Sequence, residues 1–254
     1  MKYNITIFFL VLCCQGVLSQ VKTGVVYYGE IQSLSLGSPV GKDYNALLVF
    51  DTDRSLYTTR KDSLEQLTNS MKQEHKFTFT VSTSEEGFLY YNDLKNKTLF
   101  ARDLGFSYVK EGIPKIVWDI TSKTKVIGDF ECQMATCTFR GRTYTAWFTM
   151  QVPLPYGPWK LQGLPGLILE AYDAHKEIFW YFKEMQYPSR FQYLLKPINN
   201  PTNEWMTFNA FKNNLEEKLN QATLNGRILS EKTGVPIHED KNPGNIFIEV
   251  FGTF

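Results

Sequence analysis

The chain has 254 residues, of which 43% are hydrophobic, 15% aromatic and 21% charged. This composition is that of a folded globular protein and excludes a disordered chain. The formal net charge of +1 excludes the strongly basic surface that steers a protein to nucleic acid or anionic lipid. We therefore expect no nucleic-acid partner.

The first predicted element is an export signal over residues 1–19. Lys2 supplies the positive start of such a signal, and a short apolar run follows over residues 5–14. Val17 and Ser19 are the small residues that precede a signal-peptidase cut by three positions and one position. The apolar run is too short to span a bilayer.

Cleavage before Gln20 leaves one exported domain over residues 20–254, located in the periplasm or outside the cell. The cut removes Lys2 and no acidic residue, so the mature chain carries equal numbers of basic and acidic side chains. An alternative is acylation at Cys13 or Cys14, which the bulky residue before them disfavours. After the signal, no stretch is long and apolar enough to predict a transmembrane segment.

Alternation of apolar and polar residues predicts strands over most of the mature chain. Aromatic and β-branched residues are frequent in these stretches and favour strands over helices. The clearest alternation places Tyr144, Ala146 and Phe148 on one face, with Trp147 and threonines on the other. Strands are predicted within residues 23–32, 44–59, 76–82, 87–103, 114–155, 166–185 and 242–251, with turns at 51–55, 92–97, 121–125, 140–142 and 173–176.

Two stretches predict helices instead. Leu64, Leu67 and Met71 recur at helical spacing. A longer apolar stripe begins after Thr207, a predicted N-cap, and Gly226 is the predicted end of that helix. The expected fold is mainly β (α+β): a curved antiparallel sheet or partly open barrel with one or two packed helices.

Residues 157–173 are rich in glycine and proline, and either hold a ligand or join two strands. A phosphate-binding loop requires a lysine–hydroxyl pair after its glycines, and none follows Gly163 and Gly166. In the turn interpretation, Pro165 occupies the second position of a type II turn and Gly166 the third, at positive φ. Gly166→Val should then unfold the following strand or shift its register.

Residues 137–173 also carry a longer pattern, in which Arg-Gly-Arg, an aromatic strand, GPWK and then GLPGLI at 163–168 follow one another. The pattern resembles the signature of the GLPGLI family of secreted bacterial proteins. Cys132 after GDFE, and Asn242-Pro243, fit it too, whereas Cys137, the first residue of this stretch, is not one of the positions that match the signature. The resemblance implies an envelope-associated protein of bacteria with many outer-membrane nutrient receptors, and it brings no assigned activity.

A cationic and aromatic set in this segment is the predicted ligand-binding site: Arg140, Arg142, Trp147, Trp159 and Lys160. Arginine beside an aromatic ring can bind anions, carboxylates or sugars. In that case Arg142→Ala and Trp147→Ala should abolish binding and leave folding intact. The alternative is that each cation pairs with a carboxylate at the edge of the core, such as Asp119 or Glu170.

The sequence contains no recognisable catalytic motif, and we predict no catalytic residue, metal or cofactor. His75 and His238 stand in no motif. Asp173, His175 and Glu177 alternate, so on a strand they would share a face and could form a metal-binding or hydrolytic site. The other interpretation of these residues is a polar hairpin tip.

Cys132 and Cys137 are the cysteines that remain after signal cleavage. An oxidising compartment allows a disulfide between them. Residues five apart on a regular strand lie on opposite faces, so the disulfide requires a turn or bulge between the two. A single C-x4-C pair does not predict a zinc site.

The leading functional hypothesis is a non-enzymatic envelope protein. It would bind a small apolar or anionic ligand, or dock on an outer-membrane receptor. The aromatic run at 178–182 indicates that a second layer or a ligand covers the sheet. A sheet curled around an apolar cavity beneath the C-terminal helix would resemble periplasmic lipoprotein carriers in fold.

Overall fold

The computed structural model describes residues 22–33, 42–69, 83–190, 194–234 and 248–249. The predicted signal, the strand predicted at 76–82, and both His75 and His238 lie outside these residues, as does most of the predicted last strand. Within them the helices are α1 Asp62–Asn69 and α2 Phe208–Thr233. The strands are β1 Gly24–Gln32, β2 Lys42–Phe50, β3 Arg54–Thr59, β4 Phe88–Asp93, β5 Thr98–Asp103, β6 Ser107–Gly112, β7 Asp119–Ile127, β8 Phe130–Phe139, β9 Arg142–Thr149, β10 Leu167–Asp173, β11 Ile178–Gln186 and β12 Met206–Thr207.

The strands of the described residues form one sheet in the order β12-β6-β5-β4-β3-β2-β1-β11-β10-β9-β8-β7. Two meanders, β1 to β6 and β7 to β11, account for all strands of this order except β12, because consecutive strands within each meander pair antiparallel. The short strand β12 adds to the edge of β6 in parallel. The meanders join where β1 pairs antiparallel with β11, from Val25 opposite Gln186 to Gln32 opposite Ile178. The sheet has two separate ends and does not close. The predicted mainly β fold with packed helices is confirmed.

The hairpin between β8 and β9 has the predicted Arg-Gly turn. Phe139 pairs with Arg142, and Arg140 and Gly141 between them have φ of 51° and 79°. Two consecutive residues at positive φ form a type I′ turn, whose twist matches that of the flanking strands. Strands also end and restart around the predicted turns at 51–55, 92–97 and 173–176.

The turn predicted at 121–125 is wrong, because these residues lie inside β7. Their polar character suits an edge strand, of which one side faces solvent. The pairing of β7 with β8 shifts between Ile120 and Thr124, so the strand accommodates the extra residues as a bulge.

Helix α2 begins as predicted and ends later than predicted. The hydroxyl of Thr207 caps it by accepting an N–H from the first turn, at 3.2 Å. The helix continues through Gly226, at a cost of about 1 kcal/mol, and ends at Gly234, which has a left-handed φ of 67°. Phe211 and Leu215 pack its first half against the core. Neither helix in the described part of the chain has the length and hydropathy of a membrane span.

The main core lies between the sheet, the segment that follows β9 and the start of α2. Trp159 stacks on Trp180 with ring centroids 5.9 Å apart and an interplanar angle of 11°. Tyr144 packs against both rings. Aromatic pairs of this kind contribute roughly 0.5–1.5 kcal/mol each beyond the area they bury. Side chains of the protein itself therefore fill this part of the space in which an apolar cavity was expected.

The two cysteines lie on one strand without a turn between them. Strand β8 pairs continuously with β9 from Gln133 to Phe139. Both Cys132 and Cys137 are free and buried, so the disulfide considered for them is not formed. Burial raises the pKa of Cys132 to about 11 and that of Cys137 to about 12.

We expect both thiols to react slowly in the folded protein, because the thiolate is the reactive form and burial keeps both groups protonated. A thiol reagent such as DTNB, at about pH 8, should label neither residue quickly under native conditions. It should label both Cys132 and Cys137 in denaturant without reductant. A denatured mature chain that reacts only after reduction would show that a disulfide had formed.

Candidate functional site

The segment between β9 and β10, residues 150–166, folds back into the core instead of making a tight turn. The N–H of Gly163 donates to the carbonyl of Pro155 at 3.0 Å, which closes the segment on itself. Trp159 and Lys160 lie within this loop and are 2% and 1% exposed. The glycine–proline stretch therefore joins two strands and also delivers a tryptophan and a lysine to the interior.

The predicted turn residues have different roles from those expected. Gly163 is the left-handed residue, with φ of 90°, whereas Gly166 is not among the positive-φ glycines, so the type II turn is wrong. A glycine is instead required at position 166 because the backbone there lies very close to the backbone of Thr149. A Cβ built on it would lie 2.7 Å from the carbonyl carbon of Thr149, and nearer still to the oxygen. Pro165 is exposed beside it.

Lys160 lies at the centre of a buried ionic site. Its Nζ lies 2.6 Å from Oε1 of Glu249, 3.2 Å from Oε1 of Glu111 and 3.8 Å from Oδ2 of Asp103. Burial alone would lower the pKa of Lys160, but these carboxylates outweigh burial, and the pKa of Lys160 is raised. The ammonium group therefore stays charged at neutral pH.

Arg140 reaches the same carboxylates from the turn between β8 and β9. Its guanidinium pairs with Glu111, and its Nε lies 3.8 Å from Oε1 of Glu249. The Cζ atom lies 3.6 Å from the ring centroid of Phe208, at the start of α2. Left-handed φ costs a residue with a Cβ roughly 1–2 kcal/mol, so these side-chain contacts offset a local strain.

Arg142 lies beside this site on β9, with its side chain buried. Its Nη1 donates to Oδ2 of Asp173 at 3.0 Å and to Oε2 of Glu177 at 2.7 Å. Its Nε donates to the main-chain carbonyl of Ile248 at 3.0 Å. Contrary to the expectation from sequence, we expect Arg142→Ala to destabilise the fold, because it would leave two carboxylates without their cation.

Trp147 does not join the other predicted residues. It lies on β9 between Ala146 and Phe148, which are buried, and its own side chain is half-buried. The Nζ of Lys125 lies 4.4 Å from its ring centroid and 2.6 Å from Oε1 of Glu170. Trp147 therefore packs with a separate ion pair, while the structure brings Arg140, Arg142, Trp159 and Lys160 together. We call Arg140, Arg142 and Lys160 the cationic site.

The hairpin tip between β10 and β11 does not gather its three polar residues at one point. Asp173 and Glu177 both accept from Arg142, and Asp173 also accepts the N–H of Ile178 at 3.0 Å. His175 is exposed at the tip. Among the described residues, no group of three or more His, Cys, Asp or Glu is placed to hold a metal ion. The hydrolase or metal-site hypothesis gains no support from this geometry.

The carboxylates that pair with Lys160 and Arg140 were not predicted from the sequence. Asp103 ends β5 and Glu111 lies on β6, while Glu249 comes from the C-terminal part of the chain. No spacing links these positions to Lys160. A weak signal was available, because a lysine within an apolar segment needs an anionic partner when it is buried. Of the partners considered instead, Asp119 is exposed on β7.

The cationic site is equipped to hold a carboxylate together with a main-chain carbonyl. Lys160 and Arg140 face the carboxylate of Glu249, and Arg142 binds the carbonyl of Ile248. Ionised donors make shorter and stronger hydrogen bonds than neutral donors. The aromatic wall of Trp159 and its neighbours excludes water, which strengthens these contacts further.

Residues 140–170 match the model of a family described as a protein of unknown function, Porph_ging. The matched stretch runs from the turn before β9 into β10, so it contains the whole cationic site and both glycines discussed above. No curated protein matches the chain significantly.

Two crystal structures of PNGF-II, in space groups C2 and P21, are similar to this fold. Their TM-scores are 0.44 and 0.45, with sequence identities of 16% and 15%. Each comparison covers 73% of this chain but only 30% or 31% of PNGF-II, so this chain spans less than a third of the length of those structures. Similarity at this level carries no inference about function.

Proposed function

We propose that the protein is an exported, non-enzymatic binding protein of the bacterial cell envelope, and that the cationic site holds its ligand. One observation carries this proposal: Lys160 and Arg140 both lie against the carboxylate of Glu249, and Arg142 binds the carbonyl next to it, that of Ile248. Arginine and lysine at fixed positions recognise carboxylates through charge-assisted hydrogen bonds. The ligand expected here is therefore anionic.

An anionic ligand is favoured over an apolar one. The space beside the sheet near Trp159 and Trp180 is filled by packed aromatic rings, while the buried groups next to them are charged. A small apolar molecule would have to displace part of that packing. No specific observation favours a reaction at Asp173, His175 and Glu177.

Export and family membership are part of the same proposal. The N-terminal pattern that ends before Gln20 has the three parts of a secretion signal. The string GLPGLI at 163–168 lies inside the matched residues 140–170, which is compatible with the GLPGLI family. The ligand would then be met in the periplasm or outside the cell, either free or on an outer-membrane receptor.

The proposal can be tested by native mass spectrometry of the protein gently purified from its own cell envelope. We expect an added mass from a carboxylate ligand, or a complex with a membrane receptor, and a mature N-terminus at Gln20. Arg140→Asn should lose the added mass, because it removes a cation while asparagine tolerates the type I′ turn. Lys125→Ala is the matched control, since Lys125 is a cation paired with Glu170 outside the site.

An empty monomer from every preparation would contradict the binding function. Equal loss of ligand from Arg140→Asn and Lys125→Ala would contradict the assignment of the site. Recovery of the protein from the cytoplasm with residues 1–19 still attached would contradict export.

A further inference from the structure

The occupant of the cationic site is a short piece of peptide from the same chain. The carbonyl of Ile248 accepts from Nε of Arg142 at 3.0 Å, and the Glu249 carboxylate accepts from Nζ of Lys160 at 2.6 Å. These partners are 106 and 89 residues away in the chain. The site therefore binds a main-chain carbonyl and the acidic side chain of the next residue. Contacts to both main chain and side chains are typical of the recognition of an extended peptide.

The site also receives an apolar side chain. Ile248 is partly buried and packs against the main core, and Glu249 is 5% exposed. Neither residue belongs to a strand of the described part of the chain. The pair is held by its side chains and one carbonyl rather than by the ladder of a sheet.

Glu249 leaves part of the site's hydrogen-bonding capacity unused. Within the described residues, its second oxygen, Oε2, is buried without a hydrogen-bond partner. The same holds for the hydroxyl of Tyr144, which is fully buried, and for Nε of Arg140. Each such buried group costs roughly 1–3 kcal/mol. A ligand that reached the hydroxyl of Tyr144 and Nε of Arg140 would bind better than Glu249 does.

We infer that the cationic site is a peptide-binding site for an extended acidic segment of another protein, and that Ile248–Glu249 occupies it in the free protein. This inference rests on the proposed function and specifies its ligand class. An acidic peptide displaces Ile248–Glu249, places its glutamate or aspartate against Lys160 and Arg140, and offers a main-chain carbonyl to Arg142. The preferred peptide has an apolar residue directly before the acidic one.

Competition from within the chain makes the inference testable. A tethered segment competes at an effective concentration that reaches the millimolar range. Weakening the tethered contact should therefore increase the affinity for a free peptide of the same kind. The increase requires that both peptides use the same cations.

The experiment measures binding of a labelled peptide with the sequence of residues 245–254 to the full-length protein by fluorescence anisotropy. The Glu249→Ala protein should bind this peptide at least tenfold more tightly than the wild type, because its own segment no longer competes. Glu231→Ala is the matched control, since Glu231 is exposed on α2, and it should bind as the wild type does. A peptide carrying Glu249→Ala should bind the Glu249→Ala protein at least tenfold more weakly.

Circular dichroism and thermal melting establish that each variant is folded, and Glu249→Gln replaces Glu249→Ala if the latter is not. Equal affinity of the wild type and the Glu249 variant, or binding that ignores the glutamate of the peptide, would overturn the inference. Glutarate serves as a small carboxylate probe. If glutarate stabilises the variant and the peptide does not bind, the peptide inference fails and the binding function stands. If neither binds, both fail.

Discussion

Lys160→Met should destabilise the protein by about 3–5 kcal/mol at neutral pH, the range for removing one partner of a buried ion pair. The side chain of Lys160 has no exposed surface, and its ammonium group lies within 4 Å of carboxylate oxygens of Glu249, Glu111 and Asp103. Methionine matches the length of the lysine stem but leaves these carboxylates short of one positive charge. Native domains have only about 5–15 kcal/mol of stability, so urea unfolding should detect the loss readily.

The pH dependence distinguishes this ionic effect from a packing defect. The pKa of Lys160 is raised above 10.5 in the folded protein, so its stabilisation is present below pH 10.5 and is lost as the pH rises through the folded value. Burial raises the pKa of Glu249, and Lys160 opposes this rise. The loss of unfolding free energy caused by Lys160→Met should therefore become smaller as the pH falls towards 4.5, the usual pKa of that carboxyl group, because a protonated Glu249 no longer needs a cation.

Lys125→Met is the matched control for Lys160→Met. Lys125 also pairs with a glutamate, but its side chain is 33% exposed. Pairs of this kind contribute about 0–1 kcal/mol, so this variant should unfold close to the wild type. Equal stability of Lys160→Met and the wild type would show that the ionic site contributes nothing to folding.

Gly166→Ala should cost about 3 kcal/mol or more, at the upper end of the range for inserting atoms into a packed interior. The new Cβ would meet the backbone of Thr149, 2.7 Å from its carbonyl carbon. A backbone cannot move aside as a flexible side chain can. The first residues of β10 would therefore have to separate from the end of β9, and thermal melting should report a large loss.

Gly163→Ala provides the comparison that identifies the cause. Gly163 has a φ of 90°, but a Cβ there meets nothing closer than Nε1 of Trp118, at 4.0 Å. Only the backbone conformation is penalised, by roughly 1–2 kcal/mol. We expect Gly166→Ala to be the more damaging of the two. The opposite order would restore the type II turn, in which Gly166 supplies the positive φ.

Strands of this fold could be predicted from sequence where one face is buried and the other is more exposed, as on β9. On β9, Tyr144, Ala146 and Phe148 are buried and Thr143 is exposed, as their alternation indicates. Hairpin turns are marked by local residues such as Arg140-Gly141. No local sequence signal indicates that β1 pairs with β11, because the two strands are far apart in the chain and no turn joins them.

The candidate site could be predicted in part for the same reason. Its cations lie within about twenty residues of one another, on a hairpin and the loop after it, and a short segment limits how far apart they can be. The carboxylates come from remote parts of the chain and could not be assigned. The sequence could have shown that Trp147 lies apart from Arg142. The two residues are an odd number of positions apart on one strand, so their side chains point to opposite faces of the sheet. The role of Gly166 could not be predicted, because the backbone of Thr149, which it approaches closely, becomes its neighbour only in the folded protein.

The pairing of β1 with β11 also sets the order in which the chain can fold. Glu30 and Trp180 are partners across this junction, yet they are 150 residues apart in the chain. During synthesis β1 can pair with β2 early, but its other edge stays open until β11 has been made. Contacts between such distant residues slow folding. If the chain is exported as proposed above, its strand order keeps the sheet incomplete until residue 186 has been made, so the earlier strands cannot complete the fold before export begins.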